Sequence, residues 1–533
     1  VRSIKSREYR LFGPPGTGKT TWIAKKATEY AERFGSDQVS LCSLTNTAIG
    51  EIAGRNIPID KDNISTLHAR CKRALSAPAP AESMVKDFIK AHPQWATTDG
   101  MNPCLPKSLS RGIKEGDEED TVGKMMSGGG VSLYEQAQIL RQRMIPRSQW
   151  PREVSRWYSV WESWCNEIGH LDFTGWLEEA LRIKPLPYQQ VVFVDEAQDH
   201  TPLQLAVIRS WNARIIILVG DDDQNLYEWS GAEPEAFFSN DLCEAEGEKV
   251  LEQSYRVPRA VHEVAMRWTK CIRDRRDKEY YPRDEDGSVK RISYRLDDAE
   301  FGDELPPGLL ANNDETYMIL ASCSYMLQGI TNLLRKERIP YHNPYRGNDA
   351  KWNPLVNPSI KVQSYLSNPD SMWTGADAHE WAEMLKSKDV YKDRMKTEFL
   401  ERCDTAGGDK IKEKDIYDCF RPDIAERILS RDISVLRDCR KVGVPGSWDY
   451  ALDIIEREGG IPNPRVIIGT IHSVKGGEAD NVYLFPDLSP SGFMDYTGIN
   501  SDRIYRLFYV GITRARKNLY LCQQNQPKAV SWM

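Results

Sequence analysis

Gly13-Pro-Pro-Gly-Thr-Gly-Lys-Thr20 spaces its glycines, a lysine and a hydroxyl as G-x-x-x-x-G-K-[ST], the pattern of a phosphate cradle. Gly13, Gly16 and Gly18 let backbone N–H groups wrap phosphate oxygens. Lys19 brings a point charge to the outer phosphates, and the Thr20 hydroxyl is a ligand for Mg²⁺. Thr21 directly follows and is grouped with the nucleotide-binding residues. A second stretch, Val191-Val-Phe-Val-Asp-Glu-Ala-Gln-Asp199, ends an apolar run in adjacent acids. Mg²⁺ takes oxygen ligands and keeps several waters, so one carboxylate suffices to hold it while its neighbour polarises a water. Asp195 is assigned the metal and Glu196 the role of base.

Chemistry of this kind needs rigid elements behind it. Arg10-Leu-Phe, Val191 to Val194, Ile215 to Val219 and Val466 to Gly469 are short, rich in Val and Ile, and sharply ended, which is how buried parallel strands read. Helical segments alternate with them, so the α/β class is expected. Residues 76–189 turn Pro-rich and helical, with the acidic run Glu115-Gly-Asp-Glu-Glu-Asp120 and a spacer from Gly128 to Gly130. This is expected to be a helical insertion in a first α/β domain of residues 1–75 and 190–255. Residues 347–460, charged and helical, are expected to be a smaller insertion in a second α/β domain of residues 256–346 and 461–533. Trp157, Trp161 and Trp164 fall at helical spacing and are expected to pack the first insertion. No solenoid repeat is visible.

At 533 residues the chain exceeds what one hydrophobic core supports, and several domains are expected. Apolar residues make up 40% and charged residues 28%, the balance of a globular protein. The 11 cysteines are scattered and never form Cys-x-x-Cys, so reduced thiols are expected and neither a zinc ribbon nor an iron–sulfur cluster is indicated. No apolar stretch approaches the roughly 18 to 20 residues that span a bilayer, and Val1-Arg-Ser-Ile-Lys5 lacks a secretory core. The expected location is cytoplasmic or nucleoid-associated, with no membrane partner. A formal net charge of −7 means that any nucleic acid is gripped by local basic patches.

The order of further motifs identifies a family. Gly220-Asp-Asp-Asp-Gln-Asn-Leu-Tyr-Glu-Trp-Ser-Gly-Ala232 resembles the GD-x-x-Q-x-IY-x-[FW]-RGA segment of UvrD/Rep-type superfamily 1 helicases. Gln253-Ser-Tyr-Arg256 is similar to their NYR motif. Ile468-Gly-Thr-Ile-His-Ser-Val-Lys-Gly-Gly-Glu-Ala-Asp480 is similar to T-x-H-x-x-KGLEF, and Phe508-Tyr-Val-Gly-Ile-Thr-Arg-Ala-Arg516 to YV-x-xTRA. Thr45-Asn-Thr-Ala48 and Ser65-Thr-Leu-His68 match the two motifs after the phosphate loop.

The resemblance implies two RecA-like P-loop domains with parallel sheets, each carrying a mainly helical insertion, and ATP and Mg²⁺ held between them. It implies that Arg256 and Arg514 act as arginine fingers, that Gln224 senses the γ-phosphate, that Tyr255 stacks on adenine and that Glu478 meets the ribose. The family's adenine-reading glutamine precedes the phosphate loop, and Val1 to Phe12 hold no match to it, so base selectivity is left undefined. The implied activity is a DNA helicase or translocase moving 3′→5′ on single-stranded or tailed duplex DNA. A DNA-stimulated ATPase switch that remodels protein–DNA complexes is the alternative, and a non-motor P-loop protein leaves the distal arginines unexplained. RNA stays open as a track because stacking and backbone contacts need not exclude a 2′-hydroxyl. The reduced second insertion points to a protein partner that supplies duplex separation, and beyond Arg516 only a terminal strand and tail are expected.

Single strands are held by aromatic faces and by polar or basic groups on phosphates. By the resemblance, Tyr227 and Trp229 contact DNA, with Trp229 the residue expected to stack on a base; Thr66, His68, Thr470 and His472 contact the backbone, and Thr45 and Asn46 are further DNA-binding residues. The basic stretch from Arg267 to Lys278 reads either as a solvated helix face paired with its interleaved acids or as part of the strand path. Three positions depart from the family: Leu44 where a stacking Phe is common, Ser230 for the Arg of RGA, and Gly477 for the Leu of KGLEF. Fewer stacking and charged contacts predict a salt-sensitive grip or lower processivity than in full-length members. A salt titration of single-strand binding checks this, and tight, salt-resistant binding contradicts it.

Overall fold

A computed structural model of the chain describes residues 7–43, 57–97, 103–106, 109, 132–184, 189–211, 213–238, 244–312, 314–347, 349–441, 447–458, 460 and 462–532. The acidic run from Glu115 and the Gly128 spacer lie outside the described residues. The chain forms two compact units, Val1–Ser288 with Leu488–Lys517, and Val289–Asp487 with Asn518–Trp532.

The first unit is built on β1 (Arg7–Phe12), β2 (Val39–Ser43), β3 (Ile64–Thr66), β4 (Val191–Val194), β5 (Ile215–Gly220) and β6 (Glu244–Val250), in the order β3-β2-β4-β5-β1-β6. Every neighbouring pair is parallel. Strand residues alternate between two apolar layers. Leu11, Leu41, Phe193, Ile217 and Val219 pack with Ile23, Ala27 and Ala31 of the helix Lys19–Phe34. Phe12, Cys42, Val192, Val194, Ile216 and Leu218 pack on the other side with Phe173, Trp176 and Leu177 of the helix Phe173–Ile183. Both faces being covered, the central strands β4 and β5 read as unbroken apolar runs. Each fully buried Val, Leu or Ile contributes about 1.5–3 kcal/mol. The register pairs Phe12 with Gly220 and Val250, and Cys42 with Val194. The carboxyl ends of the strands therefore share one edge, where open parallel sheets place their sites.

Helices Leu133–Gln142, Arg152–Ile168 and Phe173–Ile183 lie between β3 and β4 of this unit. The first opens with a capping box between Ser132 and Glu135. Trp157, Trp161 and Trp164 are buried with Phe88, Tyr134 and Val154, the packing expected from their spacing. Polar groups inside this core are tied together. Asp172 caps Phe173–Ile183 through Gly175 N (2.7 Å), accepts from Trp161 Nε1 (3.0 Å), and pairs with Arg141 at 2.6 and 3.0 Å. Burial alone would raise its carboxyl, but Arg141's charge and hydrogen bonds outweigh that and hold it below the usual range. Glu82 Oε1 accepts from Tyr134 Oη (2.6 Å) and Phe173 N (3.1 Å). Burial, helped by the nearby Asp172, pushes Glu82 up to about 8.

The second sheet runs β7-β12-β11-β8-β10-β9, with β7 (Ser288–Arg291), β8 (Tyr317–Ala321), β9 (Tyr341–His342), β10 (Val466–Thr470), β11 (Ala479–Leu484) and β12 (Ala515–Leu521). Strands β8, β9, β10 and β11 pair parallel. Between β9 and β10 the chain builds helices from Val356 to Glu458 around a separate core of Trp373, Trp381, Phe399, Phe420 and Ile428. The α/β class and the four strand-like runs are as expected. Among the described residues no disulfide forms, and no helix is long and apolar enough to cross a membrane.

Glu82 generates a pH prediction. Its folded value lies above its unfolded one, so its contribution is full below about 4.5, falls as pH rises, and is lost above about 8. Glu82→Gln is expected to match the parent in melting temperature near pH 4.5 and to exceed it increasingly up to pH 8, as calorimetry across that range would show.

Candidate nucleotide and nucleic-acid site

The phosphate loop leaves β1 at Gly13, whose N–H donates to Gly220 O on β5 at 2.9 Å. It folds on itself through Thr17 Oγ1 to Pro14 O (2.8 Å) and enters the helix Lys19–Phe34 with Gly18 as its N-cap. Lys19 Nζ donates to Gly13 O at 2.8 Å, which lays the ammonium across the loop mouth. Thr20 is half-buried and Thr21 exposed in the first helical turn.

The segment after β6 is fastened directly to this loop. Ser254 Oγ and Tyr280 Oη both donate to Pro15 O, at 3.0 and 2.8 Å, and Tyr255 N donates to Gly16 O at 2.8 Å. Gly16 has φ +74°, and a Cβ there would overlap Arg256 Cβ and crowd Ser254 Oγ at 2.8 Å. Glycine is thus required both by conformation and by the close approach of Arg256. Arg256 lies against the phosphate loop, and Tyr255 beside it is 74% exposed.

Asp195 and Glu196 follow β4. Asp195 is buried, its N–H donates to Cys42 O (2.9 Å) and its Oδ1 accepts from Glu196 N (3.0 Å). Glu196 adopts φ 49°, a conformation unusual for a residue with a side chain. From Glu196 a continuous chain of hydrogen bonds runs through the next motif. Gln198 Nε2 donates to Glu196 Oε2, and Asp221 N donates to Gln198 Oε1 at 3.0 Å. Gln224 Nε2 then donates to Asp221 Oδ2 at 2.7 Å, and the buried Arg514 donates to Gln224 Oε1 at 3.3 Å. Asn225 and Leu226 add bonds to Gln198 O and Asp199 Oδ1. Lys19, Glu196, Gln224, Arg256 and Arg514 therefore all belong to the first unit. Gln198, given no role from sequence, is the bridge; its place between Glu196 and Asp199 was the available signal.

Asp221, Asp222 and Asp223 are all buried. Lys278 Nζ lies 2.9 Å from Asp221 Oδ1 and 3.0 Å from Asp223 Oδ2 and also meets Asp222, while Arg275 grips Asp223 at 2.9 and 2.8 Å. Burial works against the Lys278 ammonium, yet the three carboxylates raise its pKa. Asp223 is lowered because these cations outweigh its burial, whereas burial keeps Asp222 raised. The solvated-helix expectation for Arg267 to Lys278 is corrected here. The helix Arg259–Thr269 ends first, and Arg275 and Lys278 turn inward because three adjacent carboxylates cannot be buried without cations.

Of the expected nucleic-acid residues, Leu44, Thr45 and Asn46 lie outside the described residues. Thr66 is buried and caps the helix Leu67–Ala74 through Ala69 N (3.3 Å). His68 packs edge-on against Phe173, and burial, then the neighbouring His200, pulls it down to about 4, so it is neutral at physiological pH. Tyr227 and Trp229 are half-buried, with ring centroids 5.9 Å apart. Ser230 Oγ donates to Tyr227 O at 2.8 Å.

In the second unit Thr470 ends β10 and its Oγ1 accepts from Ser473 N at 3.2 Å; His472 and Glu478 are half-buried. Asn343, fully buried, supports this turn by donating to Ile468 O (3.0 Å) and Ser473 Oγ (3.1 Å). Gly477 is explained by Tyr345, whose Cε2 and Cζ would lie 2.8 Å from any Cβ there.

The chain matches the AAA domain family model over residues 1–230 and the UvrD-like helicase C-terminal domain model over residues 449–526. It is 30% identical over 314 residues to the ATP-dependent DNA helicase PcrA of Bacillus subtilis, covering 55% of this chain and 41% of that one. It is 24% identical over 421 residues to the ATP-dependent DNA helicase Rep of Buchnera aphidicola, covering 62% of each. A probable DNA helicase II homolog of Mycoplasma capricolum is 22% identical over 326 residues, 55% of this chain and 44% of that protein. The chain spans less than two thirds of the length of each. The first model takes in the phosphate loop, the Asp195–Glu196 turn and the Asp221–Gln224 turn, the second takes in the Thr470 and Arg514 motifs, and with these relatives they place the chain in the UvrD/Rep-type family of superfamily 1 helicases.

Proposed function

We propose that the chain is an ATP-driven translocase on single-stranded DNA that moves 3′→5′ and opens tailed duplexes, with residues 1–75 and 190–255 as one RecA-like lobe and 256–346 and 461–533 as the other, the insertions being 76–189 and 347–460. Residues 256–288 and 488–517, which group with the first compact unit, are assigned to the second lobe on their motifs. The observation that carries the proposal is the hydrogen-bonded relay Glu196–Gln198–Asp221–Gln224–Arg514. A hydrolytic base, a sensor and an arginine finger joined in this way are what coupling of phosphoryl transfer to motion requires.

In this assignment Lys19 and the loop N–H groups bind the phosphates, and Gly13, Gly16 and Gly18 permit their approach. Glu196 orients and deprotonates the attacking water, held by Gln198. Arg256 and Arg514 meet charge developing on the transferred phosphoryl group, which preorganised cations stabilise at no reorganisation cost. Tyr255 stacks on the base, and Glu478 binds the ribose. Asp195 after β4 and the Thr20 hydroxyl in the first turn of the helix after the phosphate loop are oxygen donors, the kind that fits Mg²⁺. When bound, that ion neutralises phosphate charge. Tyr227 and Trp229 take bases, and Thr45, Asn46, Thr66, His68, Thr470 and His472 take the strand's backbone. Partner proteins supplying duplex separation belong to this proposal.

Directional translocation on single-stranded DNA and RNA, with unwinding of a tailed duplex measured beside DNA-stimulated ATPase, tests it. Movement with the 3′→5′ sense supports the assignment. Stimulated turnover without strand separation favours a remodelling switch, and turnover indifferent to oligonucleotides sinks both. Lys19→Ala is expected to lower ATPase by about 10²-fold or more. Gln198→Ala is expected to reduce DNA-stimulated turnover about 10-fold or more while ADP binding stays near the parent's, since it breaks the relay and leaves the phosphate loop intact; equal loss of both would argue against a relay.

A further inference from the structure

Two neighbouring segments of the first unit divide their side chains into an inner and an outer pair. Gln253 and Tyr281 form a parallel bridge, with Tyr281 N donating to Glu252 O (2.7 Å) and Ser254 N donating to Tyr281 O (2.9 Å). Ser254 and Tyr280 are the inner pair: both are buried, and both donate to the same carbonyl, Pro15 O. The residues that follow, Tyr255 and Tyr281, are the outer pair, 74% and 47% exposed.

Both segments are anchored to the phosphate loop through two bonds to Pro15 O and one from Tyr255 N to Gly16 O. The Tyr281 hydroxyl donates to the Glu279 carboxylate, leaving the ring as the part free to stack. A single exposed aromatic needs no explanation. Two of them, on segments tied to the loop that cradles phosphate, offer exposed aromatic faces next to that loop. Stacking is the interaction such faces offer.

We propose that Tyr281 joins Tyr255 as a second residue contacting the base of the nucleoside triphosphate bound at Lys19. This rests on the nucleotide-binding assignment above and adds a residue outside the family motifs. Tyr281 acts on binding of the base, and it takes no part in phosphoryl transfer.

Titration calorimetry of the full chain tests this, using ADP with Mg²⁺ and, as a ligand without a base, inorganic tripolyphosphate with Mg²⁺. Tyr281→Ala is expected to weaken ADP by about 5- to 100-fold, the range for loss of one stacked base, while tripolyphosphate binds as to the parent and Tyr281→Phe restores ADP binding to within about 2-fold. Parent-like ADP binding by Tyr281→Ala overturns the proposal. So does equal weakening of ADP and tripolyphosphate, which marks a merely structural role, or weakening of oligo-dT binding without nucleotide while ADP is unaffected, which marks a nucleic-acid contact. If the parent binds neither ADP nor tripolyphosphate, the nucleotide assignment itself fails, a result distinct from the failure of Tyr281 alone.

Discussion

Three consecutive carboxylates buried at the end of β5 set the terms for the rest of the site. Asp221, Asp222 and Asp223 are sheltered from water, and an unpaired charge in such a place costs several kcal/mol. Lys278 and Arg275 answer that cost from more than fifty residues further along the chain. Once Lys278 is fixed, Tyr280 two residues later lands on Pro15, and Ser254 is held beside it. One local charge balance thereby joins the sensor turn, the phosphate loop and the segment carrying Arg256. It also leaves Asp221 with an oxygen for Gln224, so electrostatic neutralisation and the relay toward Arg514 share a residue.

The parallel sheet supplies the complementary constraint. Because β1, β4 and β5 are in register and all run the same way, the phosphate loop, the Asp195–Glu196 turn and the Asp221–Gln224 turn emerge side by side. The apolar layers on both faces keep that edge rigid. Glu196 sits there in a left-handed backbone conformation, a strain that persists only where the surroundings over-determine it, and bonds to its carboxylate, its N–H and its carbonyl do so. The helical cores around Trp161 and Trp381 lie in different units and solve their own packing, the first through a salt-bridged Asp172 that also caps a helix.

Much of this was legible from residue order, for physical reasons. Strands buried on both faces announce themselves as short Val and Ile runs, and the phosphate loop is specified by glycines that no other residue replaces. The tryptophans at 157, 161 and 164 were readable because helical periodicity and size leave few alternatives to a core. What could not be read were partners distant in sequence. Lys278 looked like one cation in a basic run because its three carboxylates lie more than fifty positions away, and Gln198 looked like filler between acids. Ser254 and Tyr280 carried no signal that both would converge on a single carbonyl, since that depends on the bridge between Gln253 and Tyr281. Helix propensity also misled: the run from Arg267 continues a helical pattern in composition, but the demand for buried counter-charges ends the helix at Thr269.

The glycine at 477, a departure from the family's leucine, acquires a meaning from Tyr345. That aromatic ring fills the volume a side chain would need, so the two positions are a matched pair within the second unit. Importing the consensus leucine alone would not return the turn to the family's geometry; it would expel Tyr345 and disturb the neighbouring support that Asn343 gives to Ser473. Family averages are therefore an unsafe guide for redesigning this turn, where a leucine at 477 fits only with a smaller residue at 345.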